Sequence, residues 1–217
     1  MVSRVDHVRA SYDAVARRYA EDIAGELATK PVDRALYGLF AELVVGGTVG
    51  DVGCGPGHLT AHLADLGLRP VGVDPSPGMI EVARARYPGL TFEPGSFAGL
   101  PVDDAGWAGA VAPYSIIHLP PEGRPAAWAE LARAVRPGGW LLVAFHIGTA
   151  DRPPGSTEHV DEWWGHPVGL DFHFLDPAGI TAGLAAAGWT VMARTDREPW
   201  PEVEYQSRRS YLLSRRE

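Results

Sequence analysis

Cysteine occurs once in these 217 residues, at Cys54, and lysine once, at Lys30. A single thiol excludes an internal disulfide and a cysteine-based zinc site. No stretch approaches the roughly 20 consecutive apolar residues that span a bilayer. Residues 1–19 are polar and charged, without the apolar core of a secretion signal. Positive charge is scarce too: 19 Lys and Arg stand against 27 Asp and Glu, a net charge of −8, so no basic footprint for nucleic acid is present. His159, His166 and His173 lack a tight metal-ligand spacing, and no metal is expected. The expectation is a cytoplasmic protein, monomer or homodimer, with neither a membrane nor a nucleic acid as partner.

What is present is enough apolar residue, 46%, to build one full core. The chain reads as a single domain, 1–217. Residues 7–28 show helical spacing with Tyr12, Val15, Ala16 and Tyr19 along one face, and Pro31 opens a second helix through Leu43. Residues 1–46 thus form a helical cap before an alternation of strands and helices begins. Strands are expected at about 48–53, 70–74, 90–94 and 108–113. A helix bearing Trp128, Leu131, Ala132 and Val135 then closes at Pro137-Gly138-Gly139, and the apolar run Trp140–His146 is a doubly covered strand. After a helix from Pro177 to Gly188, two last strands near 189–195 and 207–213 have no room for a crossover and should pair antiparallel. The fold class is α/β: a Rossmann-like, seven-stranded, mostly parallel sheet with an antiparallel C-terminal strand and helices on both faces. Arg208, Arg209, Arg215 and Arg216 read as a solvated strand edge.

The most specific stretch runs from Val49 to Thr60, where an apolar strand delivers Asp51 and then glycines at 53, 55 and 57. Glycines at that spacing let the chain turn sharply at a strand end and leave no Cβ between backbone and ligand. The following helix aims its free amides at the same place. At the end of the second strand, Asp74 stands where a carboxylate accepts bonds from both hydroxyls of a ribose. After the third strand, Ser96 can bond a base edge and Phe97 can pack on a base face. A nicotinamide fingerprint would need glycine at position 58, which is histidine. The Asn/Asp-Pro-Pro-Tyr box of DNA amino-methyltransferases is echoed only at its end, by Ala112-Pro113-Tyr114.

Together, Asp-Val-Gly-Cys-Gly-Pro-Gly at 51–57, Val-Asp-Pro-Ser-Pro-Gly-Met at 73–79, Gly-Ser-Phe-Ala-Gly-Leu-Pro at 95–101 and Val-Arg-Pro-Gly-Gly at 135–139 resemble the class I S-adenosylmethionine-dependent methyltransferases. The likeness is to the small-molecule, ubiquinone-methyltransferase-like group and covers about residues 10–213. The resemblance implies that Asp51, Gly53, Cys54, Gly55 and Gly57 hold the methionine end of S-adenosyl-L-methionine and that Asp74 holds its ribose. Pro75, Met79, Ser96 and Phe97 would flank the adenine, Ala112 and Tyr114 would meet the amino group through backbone, and Tyr12 and Tyr19 would close over the cofactor. Two positions depart from the family pattern: Ser96 stands where Asp is usual, and Trp107-Ala108 where Phe-Asp is common.

Methyl transfer needs a base only where the acceptor loses a proton. Two histidines at strand ends, His118 and His146, are the candidate catalytic residues. The segment 148–175, with Trp163-Trp164 and Asp171-Phe172-His173-Phe174, is the candidate lid or acceptor pocket, or else a strand covering the core. The expected activity is methyl transfer to an oxygen or nitrogen of a small molecule, in specialised metabolism. A cyclase-like enzyme using the same cofactor, or a non-catalytic binding module, is the alternative.

Overall fold

The computed structural model describes residues 4–217. The helices are α1 (Arg4–Ile23), α2 (Pro31–Leu43), α3 (His58–Asp65), α4 (Pro77–Arg86), α5 (Arg124–Ala134) and α6 (Pro177–Ala186). The strands are β1 (Thr48–Val52), β2 (Arg69–Asp74), β3 (Thr91–Pro94), β4 (Trp107–Pro113), β5 (Val135–Gly148), β6 (Thr157–Trp163), β7 (His166–His173), β8 (Trp189–Arg197) and β9 (Arg208–Arg216). Seven strands form one sheet in the order β3-β2-β1-β4-β5-β9-β8. All pairings from β3 to β5 are parallel, while β9 runs antiparallel to both β5 and β8. Chain order reverses between β1 and β4, and that switch point opens a crevice at the carboxyl ends of the strands.

Alternation along β4 and β5 sends successive side chains to opposite faces. Ala110, Ala112, Leu141 and Val143 pack under α5 and α6 with Trp128, Leu131 and Leu184. Val111, Leu142 and Ala144 pack under α2 and α3 with Tyr37, Phe40, Leu59 and Leu63. Both faces are buried, which is why these strands read as continuous apolar runs. α2 is therefore part of the core as well as of the helical cap, whereas α1 lies against α4 and β7.

Several boundaries differ from the sequence expectation for identifiable reasons. The first helix stops at Ile23, and Gly25 leads into a separate 3₁₀ turn over Glu26–Thr29. Strand β5 begins at Val135, which pairs with Trp107, and a register shift absorbs residues 136–139 before Trp140 pairs with Gly109. Pro137-Gly138-Gly139 is thus a bulge within the strand, not a helix closure. Segment 148–175 folds mainly as a β6–β7 hairpin, whose two-residue turn, Trp164-Gly165, has both residues at positive φ. Among the described residues no helix is long and apolar enough to cross a membrane, and no cluster of His, Cys, Asp and Glu could hold a metal ion.

Arg209 is not a solvated edge residue. It is 2% exposed, and its guanidinium donates to the carbonyls of Ser207 and Tyr205 and pairs with Glu204 at 3.2 Å. Beside it Arg197 bridges Glu204 and Asp33, at 2.5 and 3.0 Å. Asp33 Oδ1 also accepts the Tyr211 hydroxyl at 3.0 Å. This buried network ties the start of α2 to β8 and β9. Arg197→Met leaves Asp33 and Glu204 desolvated with their shared cation gone, and should lower unfolding stability by about 3–5 kcal/mol. Denaturant titration checks this; a loss under about 1 kcal/mol would show that the network adds little.

Candidate active site

At the crevice lies a cavity of about 360 Å³, within the range of small-molecule sites. Its floor is the glycine loop after β1. Gly55, at φ +52°, adopts a backbone that L side chains rarely take, and a Cβ there would meet only Tyr19, at 3.9 Å. Its backbone therefore faces open space, as close approach by a ligand requires. Gly57 has a different duty: at φ +85° it precedes α3, and a Cβ there would strike the Phe92 ring at 2.8 Å, in the packing between β3 and the loop.

Two carboxylates face this loop. Asp74, at the end of β2, accepts the Gly55 amide on one oxygen and the Ser76 amide on the other, each at 2.9 Å. Asp51, at the end of β1, accepts the Thr60 hydroxyl at 2.6 Å on one oxygen, while its other oxygen is buried without a partner. Burial pushes the pKa of both up to about 6, with the bonds they accept acting the other way.

One group beside the loop has little signal in the sequence. Glu26 is bonded to Lys30 Nζ at 2.5 Å and to His58 Nε2 at 3.1 Å, and both Glu26 and His58 line the cavity. A carboxylate only accepts, so His58 carries its proton on Nε2 toward Glu26. Its Nδ1 is buried without a partner. Burial pushes the Glu26 pKa up, but the His58 bond and the Lys30 charge outweigh it and hold it at about 2. The only local signal was that the sole lysine stands before Pro31. Nothing in residues 26–30 alone tells that they meet position 58.

The roof comes from α1, and the hairpin packs behind it. Asp13 of α1 accepts Ser76 Oγ at 2.5 Å and the Gly78 amide at 2.8 Å, so α1 is seated on the start of α4, where Ser76 is the N-cap. Tyr12 and Tyr19 meet edge to face at 5.7 Å, and both abut Trp163, which stacks on Trp164 at 4.5 Å. Tyr12 Oη lies 2.8 Å from His118 Nε2.

Of the residues singled out from sequence, the cavity wall brings together Tyr12, Tyr19, Asp51, Gly53, Cys54, Gly55, Asp74, Pro75, Met79, Ser96, Phe97, Tyr114 and His118. Three are not in it. Gly57 turns toward Phe92, as above. Ala112 is fully buried inside the sheet, one residue short of the crevice, and Pro113 takes its place. His146 lies behind Tyr114, ring to ring at 5.0 Å, and bonds Ser207 Oγ at 2.5 Å. The extra length of β5 carries it past the site. Burial, helped by the Arg209 charge, pushes its pKa down to about 3.

The orphaned acceptors of Asp51 and His58, in one wall of this cavity, are what an ammonium group would satisfy. The paired amides on Asp74 leave lone pairs for two vicinal hydroxyls. The residues present therefore fit an amino acid joined to a nucleoside.

Comparison with known proteins gives the same direction. Residues 49–139 match the family model described as a methyltransferase domain. The chain is 31% identical over 144 residues to a demethylmenaquinone methyltransferase of Renibacterium salmoninarum, covering 65% of this chain and 59% of that one. It is 30% identical over 147 residues to a malonyl-[acyl-carrier protein] O-methyltransferase of Serratia marcescens, covering 66% of this chain and 51% of the relative. The chain thus spans between half and three-fifths of the length of these relatives. Among solved structures, the fold resembles DhpI in its complex with SAH, with a TM-score of 0.72 and 23% identity over 98% of this chain and 96% of that chain. Residues 49–139 thus resemble methyltransferase domains, and the whole chain has the fold of solved S-adenosylmethionine-dependent methyltransferases.

Proposed function

We propose that the protein transfers a methyl group from S-adenosylmethionine to an oxygen or nitrogen of a small-molecule acceptor. The observation that carries this reading is the pair of buried carboxylates, Asp51 and Asp74, flanking an open glycine backbone in one enclosed cavity. When bound, the cofactor supplies an electrophilic methyl carbon on a sulfonium. Asp74 would hold the ribose hydroxyls, and Asp51, with His58, would hold the ammonium. Pro75, Met79 and Phe97 would flank the adenine. Ser96 Oγ already accepts the Ala98 amide at 3.2 Å, which leaves its own proton for a ring nitrogen. Tyr12 and Tyr19, backed by the Trp163–Trp164 stack, form a roof that excludes water.

Once the donor is activated, holding nucleophile, methyl carbon and sulfur in line supplies much of the rate. The 148–175 segment backs the cavity wall on the proposed acceptor side: Phe172 packs on His118, which lines the cavity, at 4.8 Å and on Trp163 at 6.1 Å. A wall of rings suits an acceptor with an apolar, flat body. Release of S-adenosylhomocysteine with candidate acceptors tests the reading. Tight cofactor binding with no such product from any acceptor would favour a binding module or a cyclase-like enzyme instead.

Asp74→Ala should weaken cofactor binding by about 1.5–3 kcal/mol, the scale of hydrogen bonds to a charged group; calorimetry showing unchanged affinity would remove Asp74 from the site. Asp51 generates an opposed pair of effects. Its pKa is raised from 3.8 to about 6 on folding. The folded state therefore prefers the protonated acid, and that stabilisation is complete below pH 3.8 and lost as pH rises through about 6. Asp51→Asn should raise the thermal midpoint of the cofactor-free protein at pH 8, with the gain shrinking toward pH 4, while cofactor affinity falls. A midpoint difference independent of pH would contradict the buried, unpaired carboxylate.

A further inference from the structure

Behind the roof, one chain of hydrogen bonds is left over from cofactor binding. His118 Nδ1 lies 3.0 Å from the main-chain oxygen of Asp171, on β7. A carbonyl only accepts, so Nδ1 carries the proton. In the neutral ring Nε2 is then an acceptor, and the group it meets, at 2.8 Å, is the Tyr12 hydroxyl. The direction is fixed along the whole line: Tyr12 donates to His118, and His118 donates to the hairpin. Burial pushes the His118 pKa down to about 4, which keeps the ring neutral, and burial pushes the Tyr12 pKa well above that of a free phenol. Tyr12 is therefore a hydroxyl whose oxygen still has lone pairs to offer. Both residues line the cavity.

The line is assembled from three separated segments. Ser11, adjacent to Tyr12, accepts the Gly169 amide of β7 at 2.9 Å, so α1 and the hairpin are pinned together beside the pair. Rings pack around Tyr12 and His118: Tyr19, Trp163 and Phe172. On the same strand, the Asp171 carboxylate is bonded to His159 at 2.8 Å.

We propose that Tyr12 and His118 form a proton relay for an acceptor hydroxyl, with its direction set by the hairpin through the Asp171 carbonyl. The proposal rests on the methyl-transfer reading and narrows its acceptor to an alcohol, phenol or enol. Such an acceptor must lose its O–H proton on methylation, whereas a neutral amine already presents the attacking lone pair. The acceptor hydroxyl donates to Tyr12 Oη. As its O–H bond breaks, Tyr12 takes that proton and passes its own to His118 Nε2. Tyrosine ends neutral, and imidazole ends as imidazolium, still bonded to Asp171. The electron pair freed on the acceptor oxygen forms the bond to the methyl carbon, and the electrons of the methyl–sulfur bond stay on sulfur. The positive charge lost at sulfur thus reappears on His118, which returns it to solvent as a proton after the products leave.

The deciding measurement is nitrogen-15 NMR of the histidine-labelled full chain with S-adenosylhomocysteine added. At pH 7 His118 should show a protonated Nδ1 and a lone pair on Nε2, and Tyr12→Phe should shift the Nε2 resonance. A proton on Nε2, or an Nε2 signal indifferent to Tyr12→Phe, overturns the relay. In a panel of substituted phenols and anilines, Tyr12→Phe should lower turnover of phenols by about 10²–10⁴-fold. Turnover of anilines alone overturns the hydroxyl assignment. Turnover of neither counts against the methyl-transfer reading, and the tautomer measurement then decides the relay by itself.

Discussion

The carboxylate of Asp74 joins the parts on which the site depends. Its two oxygens hold the amide of Gly55, in the loop after β1, and the amide of Ser76, the cap of α4. Ser76 in turn bonds Asp13, and through Asp13 the helix bearing Tyr12 and Tyr19 is seated over the cavity. One side chain at the end of β2 thus links the ends of β1 and β2 and, through Ser76 and Asp13, the roof. Burial raises the free energy of its charged form, and the two amides offset that only in part. The unspent acceptor capacity faces the cavity.

The network under Tyr114 is the second constraint. Arg197, Arg209, Glu204 and Asp33 are all nearly buried, and the two cations balance the two carboxylates. Tyr211, 2.9 Å from the Tyr114 hydroxyl, connects that network to the cavity wall. Tyr114 therefore turns its ring between the cofactor cavity and His146 and separates them. A base role for His146 would have to act through that ring, whereas His118 opens onto the cavity directly.

Legibility in the sequence followed the range of the interaction. The glycine loop and Asp74 were readable because strand end, turn and helix start lie within a few residues of one another. The parallel sheet and the antiparallel β9 were readable from the lengths between apolar runs. The Glu26–Lys30–His58 group was not, because it joins a 3₁₀ turn to a helix start 32 residues away in sequence. Arg209 misled for a related reason: four arginines near a chain end have the composition of a solvated edge, and only the fold reveals that Glu204 and two carbonyls enclose one of them. The Pro-Gly-Gly run carries the turn chemistry of a helix stop, and the strand accommodates it as a bulge because pairing with β4 resumes at Trp140.

The cofactor-free site is strained in an electrostatic sense. Asp51 and Asp74 stand in one cavity, and the partners available inside the protein leave one oxygen of Asp51 and one nitrogen of His58 unmatched. Nearby, Lys30 is committed to Glu26, and Arg197 and Arg209 to Glu204 and Asp33. A group that brings its own positive charge and its own hydroxyls relieves both carboxylates together. The same reasoning separates donor from acceptor. The donor side of the cavity is built of unmatched charge, so it selects a charged, polar molecule. Under the relay proposed above, the rings around the matched line from Tyr12 to His118 to Asp171 would favour a neutral acceptor that extends that line by a single hydroxyl.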